Sequence, residues 1–253
     1  MALADIANAA LDPELALGAE ARALAARYGE APAEDILRAA IREQYRGEIA
    51  MVSSFGADSA VLLHMVARID RTTPVLFIDT GKLFPETLRY RDRIVAQLGL
   101  ADIRSLGPDP QDLAASDPGG MLWMSDTDRC CHVRKVLPLD RALKGFAAWI
   151  SGRKRFQGGV RAALPVFEAE DGRIKVNPLA GWSAGEILAY ARSHDLPPHP
   201  LVAQGYPSIG CLPCTDKVRP GEDARAGRWR GQAKTECGIH LTTHGREIDG
   251  SGI

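Results

Sequence analysis

The chain has 253 residues and a formal net charge of −1, which leaves room for one sizeable α/β domain or two small ones. That balance excludes a general nucleic-acid binder, which carries a strong basic excess, but not a local basic pocket. No apolar run approaches the ~20 residues of a membrane span, and Met1 to Asp5 lack the cationic start and apolar core of a secretion signal, so the expectation is a soluble cytoplasmic protein.

In chain order, the first fifty residues predict two amphipathic helices, one from Pro13 to Tyr28 and one beginning near Pro32 with Ile36, Leu37, Ala40 and Ile41 on one face. Glu48 to Val52 is a short apolar run that ends in Ser53-Ser54-Phe55-Gly56-Ala57-Asp58-Ser59, and a helix-period stretch follows from Ala60 to Ile69. Pro74 to Ile78 is the next apolar run; it ends in Asp79-Thr80-Gly81 and leads to a helix from Pro85 to about Leu98. Ala101 to Leu106 and Ala147 to Ser151 read as third and fourth strands. Asp171-Gly172 reads as a hairpin turn, and Ser183 as the cap of a last helix through Arg192. Beyond Leu196 the chain is rich in Pro and Gly, and no internal repeat is present. Alternating strands and helices predict an α/β fold with a mainly parallel central sheet and helices on both faces. Ligands bind such sheets at the carboxyl ends of the strands, where both polar loops lie. The expected division is an N-terminal helical segment (1–45), an α/β domain (46–220) and a mobile C-terminal segment (221–253) with Gly227, Gly231 and Gly238 in its flanks.

Three groups of residues carry chemistry. The Ser53–Ser59 turn between a strand and a helix aims backbone N–H groups at an anion and adds a helix N-terminus; its plainer reading is a polar loop with Asp58 or Ser59 as a cap. It lacks the Gly-Lys-Ser/Thr of a Walker A loop and resembles a modified PP-loop of the adenine-nucleotide α-hydrolase type. The five cysteines divide as four plus one. Cys130-Cys131 is adjacent and Cys211-Leu212-Pro213-Cys214 is a CxxC, which together suit an iron–sulfur cubane better than a tetrahedral zinc, because adjacent side chains diverge toward different irons. A zinc site and buried free thiols are the alternatives. Cys237, in Glu236-Cys237-Gly238-Ile239-His240, is a candidate nucleophile that needs nearby cations to become a thiolate. Arg134-Lys135, Arg153-Lys154-Arg155, Arg161, Arg225, Arg228 and Arg230 supply arginine forks for an anion, against the plainer reading of solvated surface charge.

From Ile36 to His240 these pieces together resemble the family of adenosine 5′-phosphosulfate (APS) and 3′-phosphoadenosine 5′-phosphosulfate (PAPS) reductases. The carrying stretches are Ser53–Ser59, Asp79–Thr87, Cys130 to Leu139, Arg225-Ala226-Gly227-Arg228-Trp229 and Glu236 to His240. The resemblance implies an enzyme of assimilatory sulfate reduction and cysteine biosynthesis that reduces APS to sulfite and AMP. It implies Cys237 as nucleophile, through a thiosulfonate that thioredoxin or a glutaredoxin-like dithiol resolves. Ser53, Ser54, Phe55, Gly56, Asp58, Ser59, Thr80 and Gly81 would then bind the nucleotide. Lys135, Arg161, Arg225, Arg228 and His240 would bind the phosphosulfate, and Cys130, Cys131, Cys211 and Cys214 would hold one [4Fe–4S] cluster. Phe156-Gln157-Gly158 departs from the acidic-Gln-Ser usual in the family, which bears on Arg161. APS is expected over PAPS, because the cysteine quartet is mostly a mark of APS reductases and because Asp58, if it faces the nucleotide, repels a 3′-phosphate. Lys82 or the Arg153-Lys154-Arg155 run would overturn that preference if either reaches the 3′ position. A PAPS reductase with a cluster, a PP-loop tRNA thiolase and an iron–sulfur sensor or electron carrier are the competing readings. No nucleic-acid or membrane partner is expected, and the oligomeric state is left open.

Overall fold

The computed structural model describes residues 12–240. The expectation drawn from Met1 to Asp5 falls outside the described residues, as do the ends of the 1–45 and 221–253 segments. Helix α1 (Pro13–Tyr28) starts where Asp12 accepts a hydrogen bond from the Glu14 amide at 3.0 Å and Pro13 takes the first turn. Helix α2 (Ala33–Arg38) runs on into a π-helical stretch, Ala39–Gln44.

The sheet then begins with β1 (Ile49–Ser53), α3 (Ser59–Ile69), β2 (Val75–Ile78), α4 (Pro85–Leu98) and β3 (Ile103–Leu106). The boundaries follow local chemistry. Pro85 opens α4, and Gly99 closes it at φ 62°, in the left-handed region that glycine enters freely. A long crossover carries α5 (Pro110–Ser116), α6 (Leu122–Ser125), α7 (Thr127–Cys131) and α8 (Leu137–Ala142), with a π-helical stretch His132–Val136 joining the last two. None of these crossover helices stood out in the sequence. They precede β4 (Ala148–Ile150) and the hairpin of β5 (Phe167–Glu170) and β6 (Arg173–Val176). The hairpin turns through Asp171 and Gly172 at φ 50° and 72°, as the Asp-Gly pair predicts. Helix α9 (Ala184–Ser193) opens on a Ser183–Glu186 capping box.

The six strands lie in the order β3-β2-β1-β4-β6-β5, all parallel except β5 against β6. Order therefore reverses between β1 and β4, and crossovers leave those two strands in opposite directions. The crevice between their carboxyl ends is the place where such a sheet takes a ligand. The main core is one large cluster. Leu37, Leu63, Phe77, Ile94, Ile150 and Ile174 are fully buried in it, and Ala21 and Leu24 of α1 join the same cluster. A smaller one joins Ala50, Leu76 and Trp149 of the sheet to Leu139 and Leu143. Edge strand β3 is only half buried, as its mixed Ile-Arg-Ser-Leu sequence requires. No helix among the described residues is long and apolar enough to cross a membrane.

Candidate active site

A cleft of about 740 Å³ opens at the β1/β4 reversal. Ser53, Ser54, Gly56, Asp58 and Ser59 line it from the loop after β1. Phe55 does not. It turns at φ 47° with its ring fully buried and edge-on to Phe77 at 5.4 Å. A positive φ is uncommon for a large side chain; here the buried ring anchors the turn and swings its neighbours' backbone into the cleft. Phe55 thus shapes the loop from beneath and does not line the cleft.

The structure corrects the expected role of Asp58. It stands at the N-cap of α3 without capping it, and its carboxylate pairs with Lys154 Nζ at 3.2 Å. Lys154 comes from the loop after β4, with its side chain 4% exposed. Burial lowers its pKa, and Asp58 opposes that shift. A carboxylate held by its own ammonium repels a further phosphate much less than a bare one, so the electrostatic argument against a 3′-phosphate loses most of its force.

The second loop splits. Thr80 reaches the cleft, but its hydroxyl lies 3.2 Å from Cys211 Sγ, on the side of the cysteines. Gly81 does not line the cleft and turns at φ 68° close to Arg134. Arg134 is not a free cation. It donates to Asp117 at 2.6 Å and to the Thr80 carbonyl at 2.9 Å, and it is buried. That pair ties the helix of the cysteine doublet to the second loop. Leu83 bridges Cys211, and the Leu212 amide donates to the Lys82 carbonyl at 2.8 Å, which ties the CxxC to the same loop from the other side.

The two cysteine half-sites therefore meet over one loop. All five cysteines are free thiols, with Cys130, Cys131 and Cys211 buried and Cys214 half-buried. Burial raises the Cys130 pKa; Arg134 opposes this, while Cys211 and Cys214 add to it. Cys214 is raised in the same way by burial and then by Cys211. Such mutual effects need near neighbours. Among the described residues, no three His, Cys, Asp or Glu side chains close around a single ion. Two donors from the following segment, Arg228 Nε and Trp229 Nε1, are buried with no hydrogen-bond partner among the described residues.

Cys237 lies half-buried in the cleft wall beside Lys135. Its pKa is held well below the ordinary value. A hydrogen bond with Cys131 contributes most, and burial opposes it; Lys135, the Ile239 amide and Arg228 lower it further. Burial would lower the Lys135 pKa, but the sulfurs of Cys237, Cys211 and Cys131 outweigh it and hold the ammonium charged. Arg228 packs flat on Gly210, where a Cβ would meet its guanidinium at 2.3 Å, and donates to the Ile209 carbonyl at 3.3 Å. His240 stacks on Trp149, ring centres 6.0 Å apart and planes 8° from parallel. Burial, and then Lys175, Arg153, Arg161 and Arg225, keep His240 neutral. Its buried Nδ1 has no partner among the described residues.

Arg161 and Arg225 are brought to the cleft, but both face Glu236. Arg161 donates to it from Nε at 2.5 Å and from Nη2 at 2.8 Å, and Arg225 Nη2 lies 3.5 Å away. Burial pushes the Arg225 pKa down to about 10, with Arg161 adding to the shift. Glu236, Trp149 and Gln157 carry parts of the site that sequence reasoning did not assign, and Lys154, read there only within a cationic run, has Asp58 as its partner. The loop after β4, as a third strand end, was the available signal for Lys154 and Gln157. Nothing in the sequence marks Trp149.

Comparison with known proteins agrees with this geometry. The family model described as "Phosphoadenosine phosphosulfate reductase domain" matches residues 48–217. The chain is 57% identical to the adenosine 5′-phosphosulfate reductase of Mesorhizobium japonicum, over 91% of each chain. It is 55% identical to the protein of the same name from Chelativorans sp., over 91% of this chain and 93% of that one. Among solved structures, the phosphoadenylyl-sulfate (PAPS) reductase of Candida auris in its phosphate complex superimposes with a TM-score of 0.67 at 28% identity, over 78% of this chain and 96% of that chain.

Proposed function

The chain belongs to the phosphoadenosine phosphosulfate reductase family, and within it we propose that it reduces APS to sulfite and AMP through a thiosulfonate on Cys237. The observation that carries this reading is the placement of Cys237. Its depressed thiol sits beside Lys135 and Arg228, at the wall of a cleft whose other rim is the Ser53–Ser59 loop. The names of relatives more than half identical over nine-tenths of the chain support APS as the substrate.

The backbone of the Ser53–Ser59 turn and the start of α3 receive the nucleotide phosphate. Lys135, Arg228 and the neutral imidazole of His240 take the sulfuryl oxygens and the charge that develops on the leaving phosphate. Cys237 Sγ, as thiolate, attacks the sulfur. The S–O bond to phosphate breaks, and AMP departs with that electron pair. The product is Cys237–S–SO₃⁻. A dithiol of the thioredoxin or glutaredoxin type then attacks Cys237 Sγ and expels sulfite with the S–S electron pair, leaving a mixed disulfide. Its second thiol resolves that disulfide, so the dithiol is oxidised and the Cys237 thiolate is restored. The two electrons come from the dithiol alone.

Cys130, Cys131, Cys211 and Cys214 would hold a [4Fe–4S] cluster. Their meeting over one loop and their lack of disulfides support that donor set. When bound, the cluster would supply a fixed anionic field beside the site. A ligated Cys131 has no proton to donate to Cys237, so the depressed thiol then rests on Lys135, Arg228 and the Ile239 amide. The experiment is intact mass and peptide mapping after exposure to APS without reductant. One sulfonate on Cys237, with one equivalent of AMP released, is expected; a sulfonate on another cysteine, or none, overturns the reading.

A further inference from the structure

Arg161 was expected to grip the phosphosulfate, and its hydrogen bonds point elsewhere. Its Nε/Nη2 edge, the edge of a guanidinium that takes an oxyanion bidentately, is spent on Glu236 at 2.5 and 2.8 Å. Its Nη1 donates to Gln157. The Glu236 carboxylate is buried, 4% exposed. Burial would raise its pKa, and the hydrogen bonds and charge of Arg161 outweigh this and keep it ionised. The same Oε1 that takes Arg161 Nη2 also accepts the backbone N–H of Cys237 at 2.9 Å. Arg225 closes the group, with its Nη2 at 2.9 Å from the Thr235 carbonyl.

We infer that Glu236 is a positioning residue, the latch by which Arg161 on the sheet side holds the backbone of the nucleophile in place. In this arrangement Arg161 acts through Glu236, and the sulfuryl oxygens fall to Lys135, Arg228 and His240. The contrast with Arg228 supports the division. Arg228 keeps its Nε without a partner, whereas the Arg161 fork is filled from within the protein. The idea deepens the proposed sulfonate chemistry and rests on it only for the rate of that step; the docking of the segment is independent of any substrate.

The test uses the intact, cluster-loaded protein with Glu236→Gln, Arg161→Gln and the double variant. Without nucleotide, hydrogen exchange of residues 236–240 and alkylation of Cys237 by iodoacetamide report the latch directly. Both variants are expected to speed exchange there by roughly tenfold, and the double variant to add little, because the two residues act as one unit. In a Cys237→Ser background, which cannot turn over, APS affinity should change by less than about threefold in either variant, since no contact to the ligand is lost. With Cys237 present, single-turnover sulfonation at saturating APS should fall by about tenfold or more, a loss of orientation instead of binding. Glu236→Asp, which keeps the charge but shortens the reach, should recover part of the rate. Unchanged exchange in Glu236→Gln overturns the latch. So does Arg161→Gln weakening APS binding by about tenfold while Glu236→Gln does not, because a direct fork predicts that split. If APS neither binds nor reacts while exchange responds as stated, the latch stands and the proposed substrate fails.

Discussion

Asp117 and Arg134 form a buried ion pair, with Nη2 to Oδ2 at 2.6 Å and side chains 2% and 9% exposed. Neither residue lines the cleft. The pair joins the stretch just after the cysteine doublet to the Thr80 carbonyl, so it is a structural tie across the site. Burial would raise the Asp117 pKa, but the Arg134 hydrogen bond and the Leu122 amide outweigh it and leave the carboxylate below its usual range. The stability this contributes is present above the unfolded carboxyl pKa and lost as pH falls through the folded one. Asp117→Asn strands a buried guanidinium and should cost about 3–5 kcal/mol, or roughly 10 °C in melting temperature. Calorimetry checks this, and a shift under about 2 °C would show the tie to be slack.

His199 gives a second handle on pH. It is 1% exposed, its Nδ1 accepts from the Leu201 amide at 3.2 Å, and Nε2 faces the Thr87 hydroxyl at 3.2 Å. Burial pulls its pKa down to about 4. The folded form therefore keeps it neutral while the unfolded chain protonates near pH 6.5. Stability should be full above that value and decline toward pH 4, by up to about 3 kcal/mol. In His199→Gln this part of the decline should disappear, as thermal melts between pH 7 and pH 4 would register.

Iron content tests the donor set. Protein purified without air should hold about four irons per chain, the number a cubane requires. Cys214→Ser should lower that number and bleach the brown colour. Stoichiometric zinc with no iron, from cells replete with iron, would refute the assignment.

The Lys154–Asp58 pair predicts a change of selectivity. Lys154→Met leaves Asp58 as a bare carboxylate in the cleft. It should lower kcat/KM for both sulfonucleotides, and more for PAPS, whose 3′-phosphate adds roughly two negative charges. The ratio of APS to PAPS should rise by several-fold. An unchanged ratio would place Asp58 away from the 3′ position.

The sheet was readable because its strands are short apolar runs punctuated by polar loops. Val75–Ile78 and Ala148–Ile150 are each buried at every residue, and the Asp-Gly hairpin and the Ser183 cap are local chemistry. The crossover between β3 and β4 was not readable. Its helices are four to seven residues long, too short for a hydrophobic period to show. Within the site, the sequence marked residue types but not their partners. Arg161 and Arg225 lie in the cleft, yet only the fold brings Glu236 between them. In the same way, Asp58 reads as a free carboxylate until β4 delivers Lys154, 96 positions away.

The spread of the cysteine quartet along the chain also bears on how the protein is made. Cys130 and Cys131 leave the ribosome roughly 80 residues ahead of the CxxC, which at about 5–20 residues per second is a wait of several seconds. Through that interval the doublet is an unguarded vicinal dithiol on a nascent chain, and the strap from Lys82 to Leu212 that completes its surroundings has not yet been synthesised. Any loading of the quartet is thereby a late event in biogenesis, and oxidant stress during translation is the period in which the doublet is most open to damage.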